Sequence, residues 1–129
     1  MTPSFSKCTS ILIVNDVEPC IDFWVKRLGF EKSAEVLHEG RIGFAILTSG
    51  SVEIMYQSIA SVQADLPEST LTKSALYLDV SDIDATIARL EGVDVIVPKR
   101  DTFYGATEFW VREPGGSLIG FAQLAESSH

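Results

Sequence analysis

The chain is poor in the residues that most often carry covalent or metal chemistry: two cysteines and two histidines among 129 residues. Cys8 and Cys20 fall in a strand-like and a helix-like segment of the same stretch and match no metal-binding spacing, so both read as buried, reduced thiols. His38 lies at a predicted hairpin end and His129 is the final residue, and each reads as a solvated side chain. No histidine is predicted beside either cysteine, which leaves no nucleophile pair. Positive charge is also scarce, with ten Lys and Arg against eighteen Asp and Glu and a net charge of -8. That balance opposes nucleic acid and anionic membrane surfaces as partners. No apolar run approaches the length of a membrane span, and Met1 to Lys7 has neither the basic nor the apolar region of a signal peptide, so a cytoplasmic location is expected. Gly40, Gly115 and Gly116 belong to turns, and no phosphate-cradling glycine pattern opens a helix.

What is present is an ordinary folded composition, 46% hydrophobic and 22% charged, in a chain of one-domain length. Its most informative feature is a repeat. Val14 through Trp24 aligns without a gap on Val80 through Leu90, setting Val14 over Val80, Asp16 over Asp82, Val17 over Ile83, Ile21 over Ile87 and Trp24 over Leu90. In the first copy Val17, Cys20, Ile21, Trp24, Val25 and Leu28 form one helical stripe, with Asp16 or Glu18 as cap, Pro19 at the first helical position and Gly29 at the end. In the second, Ser81 and Asp84 have capping-box spacing, Ile83, Ile87 and Leu90 make the stripe, and Gly92 closes it.

Strand-like segments surround each helix. In the first half they are Ser10 to Val14, Glu31 to Leu37, Ile42 to Thr48 and Val52 to Gln57; in the second, Ala75 to Val80, Val93 to Val97, Ala106 to Arg112 and Ser117 to Gln123, with a turn at Glu113 to Gly116. The expected fold is therefore α+β and a single domain over 1–129. A first βαβββ module (8–57) and a second (74–123) are joined by a linker (58–73), and together they form a curved mixed sheet with a cleft and helices on the convex face.

Strand alternation sorts side chains between the helix side of the sheet and the opposite side. Leu12, Val14, Ile54, Tyr56, Leu76, Leu78, Phe109, Val111, Ile119 and Phe121 fall on the helix side. Thr9, Ile11, Ile13, Glu53, Met55, Gln57, Ala75, Tyr77, Asp79, Glu108, Trp110, Arg112, Gly120 and Ala122 fall on the other. A face mixing apolar, aromatic and acidic groups fits either a ligand cleft or a dimer interface.

The paired modules, the phrase Val14 to Trp24 followed by Arg27-Leu-Gly-Phe30, and Phe109-Trp-Val-Arg-Glu-Pro-Gly-Gly116 resemble the vicinal oxygen chelate superfamily of glyoxalases, bleomycin-resistance proteins and extradiol dioxygenases. The resemblance covers about Ser10 to Gln123. It implies metal-ligand positions at Thr9, at Glu53 or Met55, at Ala75 and at Gly120, of which only Glu53 is a good ligand, so no metal and no cofactor are expected. It implies instead the metal-free bleomycin-resistance branch, whose members are small acidic homodimers that sequester a bulky cationic drug.

The residues themselves point the same way. Tyr77 and Trp110 supply flat faces, Glu53, Asp79 and Glu108 supply negative charge, and Phe103 and Tyr104 lie in a loop suited to a cleft lip. The ligand-binding set is Glu53, Met55, Tyr77, Trp110, Tyr104 and Glu108, with no catalytic residue assigned. Plainer roles stand beside each: packing for Trp110, a dimer contact for Tyr104, and a solvated or cross-strand pair with Arg112 or Lys73 for Asp79 and Glu108. The expected function is metal-independent binding of a small aromatic ligand, cationic or neutral, in a dimer cleft. The alternative is a lyase, isomerase or dioxygenase of the same superfamily with an atypical metal site or none, in which Glu53 acts as a general base.

Overall fold

The computed structural model describes residues 2–125; the tail 126–129, with His129, lies outside the described residues. The elements run β1 (Ser10–Val14), α1 (Val17–Asp22), a π-helical turn (Phe23–Arg27), β2 (Glu31–His38), β3 (Arg41–Ser49), β4 (Val52–Ser58), α2 (Ile59–Asp65), β5 (Ala75–Asp79), α3 (Ile83–Ala88), β6 (Asp94–Asp101), β7 (Ala106–Arg112) and β8 (Leu118–Leu124). Each module closes its four strands into a sheet of its own, ordered β1-β4-β3-β2 and β5-β8-β7-β6. The first strand of each runs parallel to the last: the helix carries the chain from the first strand to the far edge of the sheet, and two antiparallel reversals bring it back alongside. No helix among the described residues is long and apolar enough to cross a membrane.

The helix-side faces of both sheets contribute to one core. Leu12, Val14, Leu47, Ile54 and Tyr56 of the first sheet and Phe109, Val111, Ile119 and Phe121 of the second join Trp24, Ile83 and Leu90 from the helical segments. The other face of each sheet stays outside that core. In the π-helical turn Phe23 and Trp24 are both buried, and the Trp24 ring meets Phe23 edge-on at 5.3 Å and Phe30 at 4.9 Å. The helix then ends at Gly29, whose φ of +76 a side chain would disfavour.

The seam between the modules is polar at its centre. Glu113 is 2% exposed, and its carboxylate accepts from the Tyr56 hydroxyl at 2.5 Å and the Ser117 N–H at 2.6 Å, while the Trp24 indole donates to the same Tyr56 oxygen at 2.9 Å. Burial and the neighbouring carboxylate push the Tyr56 phenol and the Cys20 thiol well above their ordinary ranges. The turn carrying Glu113 packs so close to the first module that a Cβ on Gly115 would stand 2.6 Å from Val14 and 2.9 Å from the Cys20 sulfur. Arg27 donates to the Arg89 and Glu91 carbonyls at 3.4 and 2.6 Å, fastening the helix ends together.

Several local expectations need correcting. The first helix begins at Val17, so Pro19 sits at its third position, and Asp16 makes no side-chain cap bond. Glu18 instead accepts from Ile42 N and Arg41, both at 3.2 Å, which ties the helix start to β3. In α3 the cap is Asp82, accepting from Ala85 N at 3.0 Å, while Asp84 pairs with Lys99 at 2.8 Å, so the Ser81–Asp84 box does not form. The linker holds α2, capped by Ser58, and then Thr72, whose N–H and hydroxyl bond the backbone of Ile13 at 2.9 Å each along the outer edge of β1. β6 runs on to Asp101; as an edge strand it tolerates Pro98. Cys8 is exposed, and His38 is half-buried with Glu39 3.9 Å away. Glu113 belongs to a turn as expected, yet its side chain points inward because a partner 57 positions away waits for it.

Candidate functional site

On the open face of the second sheet, strand register assembles an aromatic cluster. Gly120 of β8 lies opposite both Tyr77 of β5 and Trp110 of β7, and Ala122 lies opposite Glu108. Because β8 presents almost no side chain here, the Trp110 indole folds flat across it: a Cβ at position 120 would stand 2.6 Å from the ring. The Tyr77 ring follows, 5.8 Å from the indole and tilted by 39°. Tyr104 comes from the short β6–β7 connection, which turns back at Gly105, and Phe103 meets it edge-on at 5.1 Å. The four predicted residues Tyr77, Tyr104, Glu108 and Trp110 are thus neighbours in space.

Glu108 sits beneath the rings, 1% exposed. One carboxylate oxygen accepts from the Tyr77 and Tyr104 hydroxyls. The other accepts from the Trp110 indole N–H at 3.3 Å and from Arg100 at 3.5 Å. A carboxylate offers about four lone-pair directions, and four donors meet them, which is how a buried charge is kept tolerable. The Tyr104 and Tyr77 hydrogen bonds hold its pKa below the usual carboxylate range, and burial followed by the bond to Glu108 pushes the Tyr77 phenol upward. Glu108 is therefore not solvated, and its ionic partner is Arg100; Arg112 pairs with Asp94 at 3.6 Å. Sequence reasoning missed Arg100 because the strand was expected to stop at Val97, whereas β6 brings it level with Glu108.

Glu53 and Met55 lie elsewhere, on β4 and the open face of the first sheet. Met55 sits among Ile11 and Ile46, its partners across the strands. Glu53 accepts from the Lys7 ammonium at 2.9 Å and the Thr9 hydroxyl at 3.2 Å, and Lys7 holds its pKa down. A general base would need the opposite shift, so the catalytic role considered for Glu53 finds no support in its surroundings.

Two cavities lie away from the aromatic cluster. One of about 620 Å³ lies at the module seam between Pro19, Phe23 and Lys26 on one side and Gly92, Arg112 and Pro114 on the other. A second of about 490 Å³ lies between Leu28, Phe30 and Val52 and the α3 segment Ser81, Ala85 and Arg89. The cluster around Glu108 is instead an open shelf.

Two sheets of matching strand order, each carrying its crossover helix on the core side, make a distinctive arrangement, and the profile of the Glyoxalase/Bleomycin resistance protein/Dioxygenase superfamily matches residues 6–121. The chain belongs to that superfamily. Solved structures of similar fold include TioX from Micromonospora sp. ML1, with 24% identity, 93% of this chain and 99% of that chain covered, and a TM-score of 0.76. TnmS3, an antibiotic binding protein from Streptomyces sp. CB03234, has 22% identity, 96% and 100% coverage and a TM-score of 0.72. The bleomycin-binding protein from bleomycin-producing Streptomyces verticillus, complexed with copper(II)-bleomycin, has 24% identity, 93% and 97% coverage and a TM-score of 0.63. At these identities the likeness shows the fold. No curated protein matches the chain significantly in sequence.

Superfamily membership raises the question of a divalent metal, and the residues at the expected ligand positions do not fit one. Ala75 and Gly120 carry no donor, and the Trp110 indole fills the space above Gly120 where a ligating side chain would stand. The Thr9 hydroxyl and the Glu53 carboxylate are bonded to each other. Among the described residues no group of three or more His, Cys, Asp or Glu is gathered.

Proposed function

We propose that this superfamily member is a cytoplasmic homodimer that binds a small planar aromatic molecule, cationic or neutral, and sequesters it without a metal and without breaking a bond. The observation that carries the reading is the Tyr77–Trp110 pair laid over Gly120, two partly exposed ring faces on a flat backbone platform. Such faces suit stacking and cation–π contact, each contributing on the order of 1 kcal/mol. Two of the similar structures are of proteins described as antibiotic-binding and bleomycin-binding, which supports a small-molecule role. The apolar open face of the first sheet, with Ile11 and Val36 exposed, suits the opposite wall of a cleft completed by a second copy.

Isothermal titration with bleomycin and other planar aromatic cations tests the reading. Saturable heat in the wild type that Trp110→Ala abolishes is expected. Absence of heat with every such compound at neutral pH, or an elution volume in gel filtration that stays monomeric at high concentration, would overturn the binding or the dimer part respectively.

A further inference from the structure

Glu108 invites a role as the anchor for a ligand's positive charge, but its position forbids direct contact: at 1% exposure it lies under Tyr77, Tyr104 and Trp110. What it does reach is the polar hydrogen of every ring in the cluster that has one. Both phenolic protons and the indole proton point inward at the carboxylate. The ring faces remain available, since Tyr77 is 46% and Tyr104 53% exposed.

A hydroxyl has one proton and two lone pairs. When the proton is committed to a buried carboxylate, only lone pairs face outward, and donation to an anion makes the phenol richer in electrons and a better acceptor. Trp110 has no other polar atom. Arg100, the cation in contact with the cluster, has its charge matched by Glu108 at 3.5 Å, so the pair offers an anion no net attraction, and the chain as a whole carries -8.

We infer that Glu108 is a positioning residue that takes up the protons of Tyr77, Tyr104 and Trp110, so that the aromatic shelf presents only ring faces and hydrogen-bond acceptors and selects planar molecules bearing N–H or O–H donors over planar anions. The ligand-class half of this inference rests on the function proposed above; the proton arrangement does not. The selectivity has an electrostatic and a stereochemical source at once, because donors aimed at the shelf meet lone pairs while carboxylates aimed at it meet lone pairs and π density.

The experiment compares wild type with Glu108→Gln, which keeps the shape and removes the charge. In a Tyr104→Phe background, where Tyr56 and Tyr77 are the only phenols left and Tyr56 is buried, spectrophotometric alkaline titration follows Tyr77. Its ionisation is expected well above that of free tyrosine and is expected to move down once Glu108 is replaced; no movement would overturn the proton arrangement. Fluorescence titration then compares 9-aminoacridine, a planar cation with donors, with acridine-9-carboxylate, its planar anionic counterpart. The cation should bind the wild type at least about tenfold more tightly, and Glu108→Gln should shrink that ratio by about tenfold. Equal binding of the two probes by the wild type would sink the selectivity. If neither probe binds while Tyr77 still responds to Glu108→Gln, the positioning role stands and the small-molecule reading fails. Should Glu108→Gln not fold, the probe comparison on the wild type and on Tyr77→Phe, which removes one inward proton, still decides the matter: an unchanged cation preference in Tyr77→Phe together with anion binding in the wild type would refute it.

Discussion

In the first module the tryptophan, Trp24, is fully buried beside the helix and donates its indole N–H to Tyr56; in the second, Trp110 stands on the open side of the sheet and donates to Glu108. The same contrast runs through the two carboxylates buried among the described residues. Glu113 reaches from the second module into the first, whereas Glu108 gathers groups of its own module. Strand order and helix placement are common to both modules, so the repeat supplies the scaffold and the shared core, while the outer strands β2 and β6 carry their bulges at different places. The open faces have diverged into an apolar one around Ile11, Ile46 and Met55 and an aromatic, charged one around Glu108. What distinguishes the two modules lies on the faces the core does not use.

The sharpest test of that division is the tryptophan pair. Trp24→Ala should lower unfolding free energy by about 3 to 5 kcal/mol in urea titration, since it empties a close-packed site. Trp110→Ala should cost about 1 kcal/mol or less and yet remove ligand binding. Equal stability losses would erase the distinction drawn between the modules. Next comes Glu113→Ala, which strands the Tyr56 hydroxyl and the Ser117 N–H inside the seam and should cost about 2 to 3 kcal/mol. Gly120→Ala is expected to dislodge Trp110 and weaken the ligand by about tenfold, with only a small change in the urea midpoint.

A smaller effect concerns pH. Glu108 has a folded pKa below its unfolded one, so its contribution is present above the ordinary carboxylate value of 4.5 and is lost as pH falls through the lowered folded value. The urea midpoint of the wild type should therefore decline more steeply on acidification than that of Glu108→Gln. The weakest expectation is for Lys7→Ala. The Lys7–Glu53 pair is an exposed bridge on the other sheet, and removing it should leave both midpoint and ligand affinity unchanged within error. A loss of binding there would bring Glu53 back into the site and close the gap between the two faces.

Much of the fold was legible because its signals are local. The helical stripes, the turn glycines and the period-two runs placed all eight strands and two of the helices, and the alternation put Tyr77, Glu108 and Trp110 on one face. Helix α2 escaped notice because seven residues with a single buried side chain, Val62, leave almost no periodicity to read. The inward turn of Glu113 and the pairing of Glu108 with Arg100 escaped for another reason. Each is decided by partners on other strands, Tyr56 in one case and a longer β6 in the other, and nothing adjacent in the chain announces them. The separation of Glu53 and Met55 from the aromatic cluster is likewise set by how the two sheets share their core.

The indole lying over Gly120 also constrains how this scaffold can change with time. A glutamate or histidine at position 120 would have to occupy volume that Trp110 already fills, so either substitution must displace the ring. A donor side chain at position 120 and an indole laid over it are therefore alternatives, and a change at either position alters what the other can carry.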